Sequence, residues 1–251
     1  SRPPFSHLDQ IGQHREYITF INEDATGAIW IGTRESGMNY YNPKTGLVSN
    51  FKNNKYIESG YDGIQMPKCF FTSRDGVVWI GTDYVGNIYR TNPTRKIIPH
   101  VSTLNEPVRS FYEETDGTLW ITTGKELIRI SKNNDTVERI KIVSNPSVTS
   151  GGNSIIKPDQ QGNLWIGTEE GLRYLDKKSK SIINYDVDLN IVGGPTEQVM
   201  SLFVDNDPDL WIGKERGLTL LNRKTGSITQ FLIFPEDTAL HGKNCVVAIL
   251  R

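Results

Sequence analysis

"GAIWIGTRESGM" (residues 27–38) is the stretch whose reading decides the fold. A turn glycine, a burst of apolar residues around a tryptophan and a second polar turn follow one another. Close copies stand at "GVVWIGTDYVGN" (76–87), "GTLWITTGKEL" (117–127), "GNLWIGTEEGL" (162–172) and "PDLWIGKERGL" (208–218). All five tryptophans of the chain, Trp30, Trp79, Trp120, Trp165 and Trp211, fall in this phrase, spaced by 49, 41, 45 and 46 residues. Self-similarity at that period indicates a propeller or a repeat array.

Each repeat divides into four short apolar segments bounded by turns, in the first repeat 17–23, 28–34, 38–42 and 47–53. They are rich in Ile, Val, Tyr, Phe, Trp and Thr, as strands require, and no window sustains a 3.6-residue apolar period. Four strands in about 45 residues make one β-propeller blade. In "IWIGT" apolar residues fall on both parities, so both faces of that strand should be covered, as between neighbouring blades. Each buried indole removes roughly 150–250 Å² from water, an upper bound of about 4–6 kcal/mol. Gly32, Gly81, Gly167 and Gly213 suit close approach of packed sheets. The phrase therefore reads as scaffold.

Turn chemistry agrees. "DATG" (24–27) and "DQQG" (159–162) place Asp first and Gly last, as a type I turn prefers, and 73–76 and 114–117 keep the Gly. Such a turn lacks the alternating oxygen ligands of a calcium loop. "NPKTG" (42–46), "NRKTG" (222–226) and the looser "DKKSK" (176–180) form a second recurrent turn. The fifth repeat, with Pro208 in the Gly place and Lys214 where Thr33, Thr82, Thr123 and Thr168 stand, should differ locally. So should the third, with Thr122 for Gly.

These features predict an all-β propeller of five complete blades, 13–54, 66–102, 107–143, 152–188 and 197–234. Residues 1–12 read as the outer strand of a preceding blade and 244–251 as the first strand of a further one. The segment is expected to be a mature or excised piece of a longer chain, which either closes into a ring if its terminal strands share a blade or forms an open arc of a larger ring.

Bulk properties narrow the function. Over 251 residues the formal charge is −1 with 23% charged residues, which argues against a nucleic-acid-binding surface. The longest apolar run, 245–250, is too short to span a bilayer. Cys69 and Cys245 read as small buried hydrophobes rather than a disulfide.

The string D-x-x-G-x-L-W-I-G-T-x-x-G-L, clearest at 159–172, resembles the repeat of the two-component regulator propeller family, and all five copies share the likeness. The resemblance implies a fragment of a larger, seven-bladed ring in the extracytoplasmic, periplasmic sensor region of a hybrid histidine kinase, of the kind common in gut Bacteroidetes. It implies recognition of a nutrient signal, often a glycan fragment, homodimerisation, and contact with other domains of the parent sensor. The phosphoacceptor, ATP-binding and receiver motifs do not occur in these residues. His7, His14, His100 and His241 are scattered and are assigned no phosphotransfer.

Alternating blade connectivity puts the repetitive turns on one rim and the variable loops on the other. The second set holds 34–36, 83–85, 125–126, 169–170 and 214–216, with the longer stretches 54–65, 143–152, 187–198 and 234–244. Variable loops on a rigid scaffold are where binding concentrates. Tyr56, Tyr61 and Tyr84 offer aromatic surface for a sugar-type ligand, and Arg34, Glu35, Asp83, Lys125, Glu169 and Arg216 offer polar partners. The competing reading makes these charges a solvated rim. Two rival functions stand beside ligand sensing: a protein-docking platform, and a propeller lyase or hydrolase. No catalytic constellation, metal set or cofactor motif is legible, so no catalytic residue, metal or cofactor is assigned.

Overall fold

The computed structural model describes residues 17–50, 64, 66–83, 86–91, 97–101, 104–132, 137–144, 154–185, 198–205, 208–214, 217–231 and 245–249; the side chains of 97–101 are not described. Twenty strands and no helix occur among them. The first sheet is β1 (Ile18–Glu23), β2 (Ile29–Thr33), β3 (Gly37–Asn42) and β4 (Leu47–Asn50). The second is β5 (Pro67–Thr72), β6 (Val78–Thr82), β7 (Ile88–Thr91) and β8 (Ile97–Val101). The third is β9 (Val108–Glu113), β10 (Leu119–Thr123), β11 (Glu126–Ile130) and β12 (Val137–Lys141). The fourth is β13 (Ile155–Pro158), β14 (Leu164–Thr168), β15 (Gly171–Asp176) and β16 (Ser181–Tyr185). The fifth is β17 (Val199–Val204), β18 (Asp209–Lys214), β19 (Gly217–Asn222) and β20 (Ile228–Phe231). Each sheet keeps its strands in chain order, the antiparallel meander expected of a blade.

The chain forms two compact units, 1–113 and 114–251, with the boundary between β9 and β10. In the first unit, Trp30, Met38, Ile64, Val78, Ile80 and Tyr89 form one core from two sheets, with Phe20, Tyr40 and Phe70 packed on it. In the second, Trp165, Leu172, Val199, Leu202, Leu210, Ile212 and Leu221 do the same. The second strand of the repeat is the covered one: β10 and β14 are buried along their whole length.

Why glycine follows the tryptophan is visible at three places. A Cβ at Gly81 would collide with Val108, which opens β9, and one at Gly167 with Val199, which opens β17. At Gly213 the collision is with the Ser201 hydroxyl and the Val246 carbonyl. The missing side chain lets the next first strand lie directly on the second. Val246 also donates its N–H to the Lys214 carbonyl at 2.9 Å and accepts from the Ser201 hydroxyl at 2.8 Å. Of residues 244–251, read from sequence as a further first strand, the described 245–249 are not assigned to a strand.

Three of the five indoles are buried as expected, Trp30, Trp120 and Trp165; Trp79 and Trp211 are only half-buried. Their aromatic neighbours differ from sheet to sheet. Trp30 and Trp165 pair with Tyr40 and Tyr174, which lie edge-on or tilted at 5.0 and 4.5 Å. An arginine opposite does not by itself decide the difference, since Trp79 faces Arg90 and the buried Trp120 faces Arg129, each guanidinium 5.9 Å from its ring; Trp211 pairs with Leu220 and lies tilted against Phe231, itself 44% exposed.

The turns follow the expected chemistry. Gly27, Gly76, Gly117 and Gly162 donate to the carbonyls of Asp24, Ser73, Glu114 and Asp159 at 2.9–3.1 Å. All four glycines have φ between 79° and 84°, the left-handed residue that ends a three-residue hairpin loop. Pro208 has no N–H and cannot repeat that bond; there Asp205 N–H reaches the Asp209 carbonyl at 3.1 Å, while 206–207 lie outside the described residues. Neither cysteine forms a disulfide, and burial pushes the Cys69 thiol up to about 12.

Candidate functional site

The loops between second and third strands are held by the threonine that ends the tryptophan phrase. Thr33, Thr82, Thr123 and Thr168 are buried and their hydroxyls donate to the carbonyls of Gly37, Asn87, Glu126 and Gly171. In three of them the same oxygen also accepts a loop N–H, from Asn87, Glu126 and Glu170. A hydroxyl that donates and accepts across a short loop fixes its shape. The loop side chains are then free to differ between repeats.

In the first unit, Arg34 and Glu35 are exposed on the β2–β3 turn, and Arg34 N–H donates to the Tyr17 carbonyl at 3.0 Å. Asp83 is half-buried directly after β6, its N–H on the Met66 carbonyl. Its carboxylate lies 3.4 Å from Nη1 of Arg109, whose side chain is 4% exposed. Tyr56, Tyr61 and Tyr84 lie outside the described residues.

In the second unit, Lys125 and Glu169 are half-buried, and the Lys125 carbonyl accepts from Ile142 and Val143. Glu126 pairs with Arg139 at 3.0 Å on the open face of the sheet. Glu170 is the organising acid: its Oε2 accepts from Arg173 Nη2 at 2.9 Å and from Ser144 N–H at 3.0 Å. Arg173 is 5% exposed and also donates to the carbonyls of Glu170 and Leu172. Arg216 lies outside the described residues, as does most of each long inter-sheet stretch.

Two arginines that sequence reading passed over, Arg109 and Arg173, thus hold acids of these loops. Their signal was a guanidinium inside an otherwise apolar strand, "VRSF" and "GLRYL". A buried arginine without a carboxylate would be very costly, so such a residue announces an acid beside it. Chemically, these loops offer fixed hydrogen-bond donors and acceptors. Among the described residues no three His, Cys, Asp or Glu side chains converge as a metal site. No described helix is long and apolar enough to cross a membrane.

Neither a family model nor a curated protein matches the sequence. Solved structures do match the fold. A catalytically inactive variant of virginiamycin B lyase from Staphylococcus aureus, solved with quinupristin, aligns with TM-score 0.66 and 18% identity over 90% of this chain and 73% of that one. The extracellular domain of BT4673 from B. thetaiotaomicron, described as a hybrid two component system, aligns with TM-score 0.62 and 19% identity. That match covers 86% of this chain and 29% of the other. PorZ of Porphyromonas gingivalis, a surface component of the type-IX secretion system, aligns with TM-score 0.61 and 16% identity over 91% of this chain and 35% of its own. With five antiparallel four-stranded sheets in meander order and these structures as its likenesses, the chain has the β-propeller fold.

Proposed function

We propose that the chain is a non-catalytic ligand-recognition region of an extracytoplasmic sensor, belonging to a hybrid two-component histidine kinase. The signal is a glycan fragment or another small nutrient, and its binding biases the contacts through which the parent protein reports inward. The observation that carries this reading is the division of labour within each repeat. Buried threonines recur in four of the five sheets, while the loops they fix present different polar groups: Arg34 and Glu35, Asp83, Lys125, Glu169. A rigid frame with non-repeating loops is suited to selective binding. The tryptophan phrase and the fold shared with the BT4673 extracellular domain support the sensor setting.

The test is a thermal-shift and calorimetric screen of the chain against oligosaccharides, repeated with Arg34→Ala, Glu35→Ala, Lys125→Ala and Glu169→Ala. Saturable binding that at least one of these variants weakens supports the reading. Binding unchanged in every variant discards the loops as the site. The lyase structures among the fold's likenesses favour carrying a second reading into the same screen: turnover of any tested compound would make this an enzyme. A partner protein bound in place of any small ligand would make it a docking platform.

A further inference from the structure

At the opposite end of the sheets, the first unit holds a cleft of about 220 Å³, room for roughly seven waters or a short alkylamine. It lies between the first turns of the first two sheets and is lined by Asp24, Thr26, Trp30, Asp75, Val78 and Thr91, among others. The second unit shows what such a cleft accepts. There Glu114 stands six residues before Trp120, as Asp24 does before Trp30, and takes the Trp120 indole N–H on Oε1. The same oxygen receives the ammonium of Lys177, delivered by the fourth sheet, at 2.6 Å. That ammonium lies 5.7 Å from the Trp120 ring centroid, so carboxylate and aromatic face hold it together.

The strand registers make the two places comparable. Trp165 pairs with Tyr174 and Trp79 with Arg90, so Leu175 corresponds to Thr91 and Lys177 to Pro93. The sequence thus has no lysine at that position, and residues 92–96 lie outside the described residues. The second sheet brings Asp75 instead, where the fourth sheet has Gln161, so the cleft gains a carboxylate. Asp24 accepts Thr26 N–H, Thr26 hydroxyl and Ala28 N–H on Oδ1, and the Trp30 indole N–H on Oδ2 at 2.9 Å. A carboxylate oxygen holding one donor retains a lone pair for another.

We propose that this cleft binds a primary ammonium group on an alkyl chain, with Asp24 Oδ2 as its acceptor, Asp75 as a second anion and Trp30, Val78 and Thr91 as walls. The amine comes either from a free diamine or from a lysine side chain. The Asp24 carboxyl is charged at neutral pH: burial raises its pKa, but the four hydrogen bonds outweigh that and leave it below the ordinary 3.8.

The experiment follows the Trp30 indole and the Thr26 and Gly76 amides by ¹⁵N NMR. The chain is titrated with 1,5-diaminopentane, with Nα-acetyl-lysine amide, with n-butanol, and with KCl at matched ionic strength. Expected is a saturable shift with at least one amine and none with butanol or KCl. Asp24→Asn should weaken the amine about tenfold, the scale of one charge-assisted hydrogen bond. Asp75→Asn, on an exposed turn that does not threaten folding, should weaken it about threefold. A response to the diamine alone identifies a free amine, and one to the lysine amide identifies a peptide. No saturable shift with either amine overturns the proposal, as do equal shifts with butanol or KCl, or wild-type affinity in Asp75→Asn.

Discussion

The first and fourth sheets carry the same phrase, yet their aspartate and tryptophan are wired differently. In the first, Trp30 donates its indole N–H to Asp24 Oδ2 at 2.9 Å. In the fourth, the Tyr174 hydroxyl takes the corresponding oxygen of Asp159, also at 2.9 Å. The Trp165 indole nitrogen is then buried without a hydrogen-bond partner. Tyr40 and Tyr174 occupy the same cross-strand position, and Tyr174 turns its hydroxyl to the acid of its own sheet. The turn needs an acceptor for its N–H groups; which aromatic donor completes it is interchangeable. What the repeat conserves from sheet to sheet is geometry and burial, while individual hydrogen bonds are local solutions.

Four measurements press on that comparison. Replacing either indole with alanine, Trp30→Ala or Trp165→Ala, should cost about 3–5 kcal/mol in urea denaturation, because burial dominates and the missing hydrogen bond matters little. A Trp165→Ala cost far below that of Trp30→Ala would show that the bond, not the burial, carries the energy. Next, Glu170→Ala in the fourth sheet should cost about 3 kcal/mol, since it leaves the Arg173 guanidinium buried without its carboxylate. Glu35→Ala, on the equivalent but exposed loop of the first sheet, should stay within about 0.5 kcal/mol.

Asp24→Ala should cost about 1–2 kcal/mol, for the loss of its turn hydrogen bonds. Its pH dependence has a definite sign. The folded-state pKa is depressed, so the stabilisation is complete above the ordinary 3.8 and disappears as pH falls through the lower folded value. Denaturation of wild type and Asp24→Ala should therefore converge below that range and separate above it.

The smallest effect is at the second turn. Gly46 and Gly226 hold φ of 71° and 72°, whereas the fourth sheet puts Lys180 there at 54°. Lys180→Gly should stabilise by about 1 kcal/mol in thermal unfolding, and Gly46→Ala should destabilise by a similar amount.

Much of this architecture was legible because its causes are local. The tryptophan period, the alternation of apolar segments and the aspartate–glycine turns each imply one conformation, and the structure contains them. The asparagine of the second turn is a case in point: Asn42 accepts from Lys44 and Thr45 on its side chain, as Asn222 does from Lys224 and Thr225. Other features depend on partners distant in sequence. Nothing local says that Gly81 lies under Val108, that Arg109 reaches Asp83, or that Ser144 docks on Glu170. The threonine that closes each loop was visible as a repeat, but its role was not, because a buried hydroxyl looks like any small residue until its acceptor is placed. The half-burial of Trp79 and Trp211 was likewise hidden, since an arginine stands opposite both Trp79 and the buried Trp120 and so does not mark it. Of the candidate site, Arg34 and Glu35 stand exposed as a binding loop requires, whereas Asp83 is already engaged by an arginine. Reading Arg109 and Arg173 as unusual in apolar strands would have anticipated acid neighbours.

The claim beneath all of this is that the indoles are wedged between strands and aromatic neighbours inside the sheets. Hydrogen exchange of the five indole N–H groups, followed one by one by NMR, tests it directly. Protection of Trp30 and Trp120 by orders of magnitude over the urea-unfolded chain, exceeding that of the half-buried Trp79 and Trp211, is the predicted result. Five indoles exchanging at the unfolded rate under native conditions would contradict it.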